Sequence, residues 1–439
     1  MKKIKILGSI LLFLVLIPVA SFSVSLDEAI DMAIKNSEAM KIVISQSDSI
    51  KGEADKQISI IKPQLKAEGG YLVLDTNKEN PLKKINPTYA SMLPPEFFSL
   101  FEAPDKEIWA SASLSQVVFA GGRIWRSIQL KKNLYEQADI LVRSSKKEIK
   151  ALVKLSYYGV LLQKALVEVM KDRFEQRKEE LKDAESLRDV GMGTALDVRQ
   201  AQLALNISTD TLTDGEAKYQ EALINFNLAL GRSGKDPILN PDGKLERSPT
   251  LPENIKKFEE YLNNDTLIDI QALKKEVNSA NLQYKIAKGE MFPTVGLIGS
   301  IKTSGDETSD MSESWAIGAQ LTWDIYNGGL IGAKKAVAIS QKKKANDSLI
   351  KKRKEYEGLL ENLKIQAQSL EKRIKIQEET VVLAKENYND GREFYRAGTI
   401  TQTRLSEFNL YYSEARFSLL GVYFKELELL TKIQALIEN

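Results

Sequence analysis

The sequence repeats itself at a fixed interval, and this internal duplication limits the possible folds more than any other feature. The segment Leu114–Gly122 is echoed by the segment Leu321–Gly329, a shift of 207 positions from 114 to 321. The same shift carries Gly191 onto Gly398 without a gap. Self-similarity at one long period is typical of chains built from copies of a single supersecondary unit. We therefore interpret the chain as two tandem repeats.

Each copy has the same predicted order: helix, proline, strand, loop, strand, Gly-Gly, a very long helix, a glycine turn and a second helix. The predicted boundaries are 24–232 for repeat 1, 233–254 for a linker rich in proline and glycine, and 255–439 for repeat 2. The β-hairpins are predicted over 64–119 and 294–326, the long helical hairpins over 124–232 and 330–439, and the first helices over about 26–61 and 267–290. The strand-to-helix turns are assigned to Gly121, Gly122, Gly328 and Gly329.

The composition excludes most catalytic chemistry. The chain has no cysteine and no histidine, so disulfides, thiolate nucleophiles, imidazole catalysis and ordinary zinc sites cannot be built. Its 62 Lys and Arg residues nearly balance 60 Asp and Glu, which argues against a nucleic-acid partner. We therefore predict that the protein is not an enzyme and has no cofactor and no metal.

The amino terminus indicates export. Lys2, Lys3 and Lys5 precede an apolar run from Ile6 to Val19, and small residues follow at Ser21 and Ser23. This pattern predicts a cleaved signal peptide over 1–23. A permanent anchor helix is the alternative, but the run is shorter than the ~20 residues that span a bilayer.

The strand segments alternate between apolar and polar residues. Trp315, Ile317 and Ala319 alternate with Ser314, Gly318 and Gln320, and the pattern recurs in all four segments, each about 9 to 12 residues long. Three of the four tryptophans, Trp109, Trp315 and Trp323, fall in these segments. The pattern predicts four transmembrane β-strands, and a half-buried sheet in a soluble protein is the alternative.

The long helices carry apolar residues at every seventh position. The two series are Val153, Val160, Val167, Phe174 and Leu181, and Leu360, Ala367, Ile374, Val381, Tyr388 and Tyr395. A strict seven-residue repeat makes helices pack side by side as a coiled coil. At 1.5 Å per residue, the helix predicted from Ile124 to Val190 is about 100 Å long.

Four strands cannot close a membrane barrel, because each open edge would leave unpaired backbone groups in hydrocarbon. Two chains would supply about eight strands, whose interior is filled by side chains. Three chains would supply about twelve and leave room for a lumen. A homotrimer is thus the smallest open solution.

The ordered set of motifs resembles the TolC-like outer-membrane efflux proteins. The motifs are Ala120-Gly121-Gly122-Arg123, Val190-Gly191-Met192-Gly193-Thr194, Asn327-Gly328-Gly329 and Gly398-Thr399-Ile400-Thr401. The resemblance implies a mixed α/β membrane protein in which a trimer forms a 12-stranded barrel in the outer membrane and a coiled-coil α-barrel in the periplasm. It also implies a passive exit duct of a tripartite efflux pump or a type I secretion system. Its partners would be outer membrane lipid, a periplasmic adaptor and an inner-membrane transporter.

The resemblance also assigns site residues. The periplasmic tip, where adaptors dock, would comprise Val190, Gly191, Met192, Gly193, Thr194, Gly398, Thr399 and Thr401. The pore gate would comprise Asp197, Tyr395, Arg404 and Glu407, although the arginine of the family's latch falls on Ile400. We expect Asp197 to pair with Arg404 or Arg396 in a closed tip. A mixed Arg404 and Glu407 ring should be less cation-selective than a carboxylate ring.

Two other classes of protein fit parts of the pattern. A non-conducting envelope tether would also have long coiled-coil helices. A periplasmic adaptor would have one helical hairpin flanked by small β-domains, rather than two copies each led by a strand pair. The sequence leaves open what passes through the duct and whether it serves efflux or protein secretion.

Overall fold

The structure, a computed structural model, describes residues 22–73, 106–308 and 311–438. The predicted signal peptide lies outside this part of the chain except for its last two residues. The described strands are β1 (Phe22–Val24), β2 (Gln64–Val73), β3 (Lys106–Ala120), β4 (Leu239–Pro241), β5 (Thr294–Gly305) and β6 (Ser312–Thr322). The described helices are α1 (Leu26–Asn36), α2 (Glu38–Ser59), α3 (Arg123–Asp189), α4 (Ala195–Ala229), α5 (Leu251–Asn263), α6 (Ile268–Gly289), α7 (Leu330–Arg396) and α8 (Gln402–Ile437).

The chain divides into two compact units. We call the first the helical unit; it comprises the residues up to Val43, Arg143–Ile268 and Tyr356–Asn439. We call the second the sheet unit; it comprises Ile44–Val142 and Asp269–Glu355.

The sheet unit contains one antiparallel sheet of four strands in the order β2-β3-β5-β6. Gln64 pairs with Ser115 in the first hairpin, and Thr294 pairs with Thr322 in the second. Between the hairpins, β3 pairs with β5 from Ile108 to Ala120, with an irregularity near Val118. Strands β2 and β6 are therefore the two edges, each paired on one side only within the described residues.

One face of this sheet is apolar and exposed, as the alternation predicts. Leu65 is 78% exposed, Trp315 76% and Ile317 83%. Cross-strand neighbours on this face are also apolar, because Leu65 pairs with Leu114 and Ile301 with Trp315. No other part of the described chain covers these side chains.

The second hairpin ends earlier than predicted. Strand β6 stops at Thr322, so Trp323 and Ile325 lie beyond it, and the prediction that they belong to the strand is wrong. The equivalent end of β3 continues to Ala120 because it pairs with Thr294 and Val295 of β5. Strand β6 has no second neighbour in the described chain that could extend it in this way.

Polar contacts join the helices of the sheet unit. Tyr135 of α3 donates a hydrogen bond from its hydroxyl to Asp55 of α2 at 2.7 Å. On another side of α3, the Asn133 amide nitrogen donates to the Ser279 hydroxyl of α6 at 2.7 Å. Helix α3 thus has neighbours on two sides.

The heptad positions form the buried side of the long helices in the helical unit. Val153 is 0% exposed, Val160 1% and Ile374 0%. The seven-residue spacing therefore marks packing surface rather than solvated surface, as a coiled coil requires.

The first helix is interrupted, and the prediction of one continuous helix over 26–61 is wrong. Ser37 has an extended backbone (φ −66°, ψ 137°) and separates α1 from α2. Its hydroxyl accepts a hydrogen bond from the Met40 amide at 3.3 Å, so it caps the second helix. The serine signal was overlooked because the apolar pattern continues across it.

The segment predicted as a linker has local structure. Within it, β4 pairs in parallel with β1, matching Phe22 with Leu239. The Asn227 side chain holds this strand, because its amide donates to the Leu239 carbonyl and its oxygen accepts from the Leu239 amide, both at 3.0 Å. Helix α5 begins at Leu251, and Pro252 suits its first turn.

Among the described residues, no helix combines the length and the apolar character that crossing a membrane requires.

Candidate functional site

The turn between α3 and α4 carries the first group of predicted tip residues. Gly191 has φ +80°, which a residue with a Cβ adopts only at a cost. The Met192 amide donates to the Leu187 carbonyl at 2.8 Å and closes the helix end. Thr194 then caps α4: its hydroxyl accepts from the Asp197 amide at 3.2 Å, and the Asp197 carboxylate accepts from the Thr194 amide at 2.8 Å. This capping box fixes the direction of the turn.

The turn between α7 and α8 is built the same way with a weaker cap. Gly398 has φ +71°, and the Thr399 amide donates to the Phe394 carbonyl at 3.0 Å. The Thr401 hydroxyl accepts from the Arg404 amide at 3.3 Å, but arginine cannot complete a capping box. A Cβ at Gly398 would lie 3.1 Å from Met192 Cε, so the two turns lie against each other.

Apolar side chains are exposed around the first turn. Val190 is 69% exposed, Met192 60% and Leu196 55%. Exposed apolar groups that are close together commonly mark a surface for a protein partner. The predicted docking residues therefore include a small apolar patch.

The predicted pairing of Asp197 is not made in this chain. Its carboxylate is engaged in the capping box. Arg404 instead pairs with Glu407 at 2.7 Å, one turn along α8. Arg396 donates to the two carboxylate oxygens of Asp183 at 2.9 and 3.2 Å. A cap oxygen at a helix N-terminus accepts hydrogen bonds from backbone amides that have no partner within the helix. The Asp197 carboxylate therefore bonds locally, at its own helix end, rather than with a distant arginine.

Of the four predicted gate residues, Tyr395 has the most buried environment. It is 4% exposed and belongs to a cluster with Ala184, Ala201, Tyr388 and Leu405. Burial, with smaller contributions from the charges of Asp197, Asp183 and Glu180, raises the pKa of Tyr395 to about 12. Its ring therefore acts as packing between the hairpins and stays neutral at physiological pH.

Ion pairs connect α3 to α7 beside this cluster. Arg392 contacts Glu179 at 2.5 Å, and both Arg392 and Arg396 contact Asp183, at 3.6 and 2.9 Å. Asp183 is 17% exposed, so this contact is partly screened from water. The shared carboxylate connects two successive turns of α7 to one position of α3.

A buried polar network lies deeper between α3, α7 and α8. Glu180 is 0% exposed and accepts from Arg177 at 2.7 Å, from Asn409 at 2.9 Å and from the Tyr388 hydroxyl at 3.3 Å. Arg177 also donates to the Ser406 hydroxyl at 3.0 Å. Burial raises the pKa of the Glu180 carboxyl, and its hydrogen bonds oppose that rise. The network joins three helices through one carboxylate.

Sequence reasoning missed this network. Arg177 and Glu180 are three residues apart, a spacing usual for a solvated charge pair on a helix surface. Tyr388 was identified only as an apolar heptad residue. The signal that could have revealed the network is the position of Arg177, three residues after the heptad position Phe174 and four before Leu181, which places it on the packed side of the helix.

The four predicted strand-to-helix glycines lie between the strands and helices assigned to them. Gly121 and Gly122 have φ values of +57° and +78°, and Gly328 and Gly329 have +65° and +84°. The first turn is packed: Arg123 donates from its guanidinium to the Thr294 hydroxyl at 2.5 Å. The described part of the chain contains no group of three or more Asp or Glu residues arranged to hold a metal ion.

The chain is similar to known outer membrane proteins of efflux pumps. It is 26% identical over 203 residues to the solvent efflux pump outer membrane protein SrpC of Pseudomonas putida, which is 43% of this chain and 41% of that protein. The fusaric acid resistance protein FusA of Burkholderia cepacia is also 26% identical, over 211 residues. The matches span about two fifths of the length of these relatives.

Solved structures share the fold over nearly the whole chain. The outer membrane protein VceC of Vibrio cholerae superposes with a TM-score of 0.77 at 15% identity, covering 94% of this chain and 96% of VceC. CusC, whose structures concern folding and transmembrane channel formation, superposes with a TM-score of 0.78 at 16% identity, covering 95% of this chain and 94% of CusC. The sequence profile of the outer membrane efflux protein family matches residues 29–232 and 262–422. The chain therefore belongs to the outer membrane efflux protein family and is an outer membrane protein.

Proposed function

We propose that this protein is the passive outer-membrane exit duct of a tripartite efflux pump or a type I secretion system. Three copies would each contribute four strands to a barrel of about twelve, large enough to enclose a lumen. The long helices would form the periplasmic part of the conduit.

The observation that carries this proposal is the sheet of the sheet unit. Its apolar face is exposed, and its edge strands β2 and β6 each lack a partner on one side in the described chain. In hydrocarbon, unpaired backbone groups cost several kcal/mol each, roughly, so such edges must be paired. Barrel closure by further copies satisfies both features at once. Family membership and the fold shared with CusC and VceC support the same proposal.

The tip would bind the periplasmic adaptor. Val190, Met192 and Leu196 offer exposed apolar contacts next to the two glycine turns. The ion pairs of Arg392 and Arg396 with Asp183 would hold the hairpins together behind that surface. The duct would be passive, so an inner-membrane transporter would supply the energy for transport.

The test is the oligomeric mass in detergent combined with planar-bilayer currents. We expect trimers of the 49.2 kDa chain, reduced by loss of the predicted signal peptide, and discrete conductance steps. Monomers or dimers without conductance would contradict the proposal and favour the non-conducting tether.

A further inference from the structure

We propose that a cavity at the junction between the sheet and its helices binds an anionic amphiphile, a small organic acid with a hydrocarbon chain. The cavity belongs to the sheet unit of one chain. Only its position inside a conduit rests on the proposed function, so the site and the duct can be tested separately.

The cavity is large enough for a small organic molecule. Its volume is about 820 Å³, which falls within the ~300–1,000 Å³ typical of small-molecule sites. Its wall is formed by the end of α2, the start of α3, the end of α6 and the start of α7, together with the adjoining ends of β3 and β5. The lining side chains used below are Ile60, Arg123, Glu290, Leu330, Lys334 and Val337.

The strand residues place the cavity on the side of the sheet away from its apolar face. Leu297 and Ile301 of β5 lie on the apolar face and are 51% and 62% exposed. Successive side chains of a strand point to opposite faces, so Thr294 and Gly296 lie on the other face. Thr294 lines the cavity, and so does Val117, which pairs with Gly296. In a barrel with its apolar face toward lipid, the cavity would therefore face the lumen.

The wall of the cavity is unusually apolar for that side of the sheet. Ile60 is 71% exposed, Val337 56% and Leu330 53%. On the same side, β3 carries the polar residues Ser113 and Ser115. The interior of an outer-membrane barrel is usually polar, and apolar surface in contact with water costs roughly 25 cal/mol per Å². A bound hydrocarbon chain would remove part of this surface from water.

The charges in the cavity favour an anion. Lys334 pairs with Glu290 at 2.8 Å, so these two charges compensate each other. Arg123 bonds to neutral acceptors instead, because its Nε donates to the Ala120 carbonyl at 3.0 Å and its Nη2 donates to the Thr294 hydroxyl. No carboxylate of the described chain pairs with Arg123. Its remaining N–H groups are available to a carboxylate ligand beside the apolar wall.

Cysteine protection tests the site, because the chain has no cysteine of its own. We would make Val337→Cys and Ile60→Cys separately, place each protein in phosphatidylcholine nanodiscs, and follow the reaction with N-ethylmaleimide by mass spectrometry. Octanoate should slow both reactions with one midpoint concentration, reaching about tenfold at ten times that midpoint. The matched control is Ile339→Cys, which is 47% exposed, two residues along α7, and outside the cavity wall. Its reaction rate should not change.

The sign of the ligand's charge is tested in the same Val337→Cys protein. Octylammonium has the same chain length and the opposite charge, and its midpoint should be about tenfold higher than that of octanoate. Adding Arg123→Gln should remove this difference, and Arg123→Lys should keep it. Equal midpoints for the two ions with Arg123 in place would overturn the assignment of an anion, whether or not the arginine variants assemble.

The outcomes separate this inference from the proposed function. Octanoate protection at both wall positions with a shared midpoint, and none at Ile339→Cys, supports the site. Protection of all three cysteines, of one wall position alone or of none overturns it. Planar-bilayer currents of the same proteins test the duct independently. Trimers that conduct without a protected cavity overturn only the site, whereas silent trimers overturn the duct whatever octanoate does.

Discussion

The two strand-to-helix turns have the same sequence pattern and different surroundings. A Cβ at Gly121 would lie 2.6 Å from the Gly289 carbonyl oxygen and 2.6 Å from Phe292 Cβ, whereas a Cβ at Gly328 would meet no other described residue within 4 Å. Both glycines have positive φ. The first turn is covered by the end of α6 and by the segment that leads into β5, and no other described residue covers the second turn in the same way. Within the described part of a single chain, the second copy therefore lacks the packing that completes the first.

The greatest loss of stability should follow from removing the buried carboxylate of Glu180, whose equivalent in the second repeat is exposed. Replacing Glu180 with Ala should cost about 3–5 kcal/mol of the free energy of unfolding, because Arg177 would be left buried without its carboxylate. The equivalent position in the second copy, Asn387, is exposed, and Asn387→Ala should change stability by less than about 0.5 kcal/mol. Urea unfolding followed by circular dichroism measures both. Equal effects would show that the network does not hold the hairpins.

The two glycine turns should respond unequally in the monomer. Gly121→Ala should cost about 2–4 kcal/mol, because it combines positive-φ strain with overlap against Gly289 and Phe292. Gly328→Ala should cost only the strain, about 1 kcal/mol. In the proposed trimer we expect the Gly328 variant to lose more, since closure of the barrel would place the next copy beside the end of β6. Thermal unfolding in detergent, with trimer mass measured in parallel, tests this; identical losses in monomer and trimer would count against the covered turn.

The helix caps of the tip differ more modestly. Thr194→Ala removes a capping box and should cost about 1–2 kcal/mol, whereas Thr401→Ala removes one hydrogen bond and should cost about 0.5–1 kcal/mol. The measurement is the free energy of unfolding of each variant. A larger loss for Thr401 would mean that the second turn is held by more than its cap.

Another expected effect is a change in stability at alkaline pH. Burial raises the pKa of Tyr395 to about 12. Between pH 10 and 12 the unfolded chain releases this proton while the folded chain keeps it, so the tyrosine's contribution, complete below pH 10, is lost as pH rises. Tyr395→Phe should weaken this pH dependence. The thermal midpoint measured from pH 9 to 12 tests it, and an unchanged slope would show that Tyr395 keeps an ordinary pKa.

Much of the fold was predictable because the residues that end its helices and strands are recognisable in the local sequence. Positive-φ glycines mark the ends of the long helices α3 and α7, and Pro63 and Pro293 follow α2 and α6. The heptad series identifies Val153 and Ile374 as core. The break at Ser37 and the early end of β6 were not predictable from these signals. The first depends on a serine cap within a continuous apolar pattern, and the second on the absence of a second neighbouring strand among the described residues.

The candidate site was less predictable than the fold. Motifs located both turns, but the partners of Asp197, Arg396 and Arg404 follow from which helices pack together. A charged residue in a helix pattern can be solvated or buried, and Glu180 shows that sequence spacing does not distinguish the two. Contacts between distant segments therefore had to come from the structure.

The most direct measurement is the single-channel current of the wild-type protein, recorded from the fraction whose mass in detergent is that of a trimer. If three copies enclose a lumen, this fraction should insert into planar bilayers and give discrete conductance steps. A trimer that inserts and conducts nothing would contradict the duct.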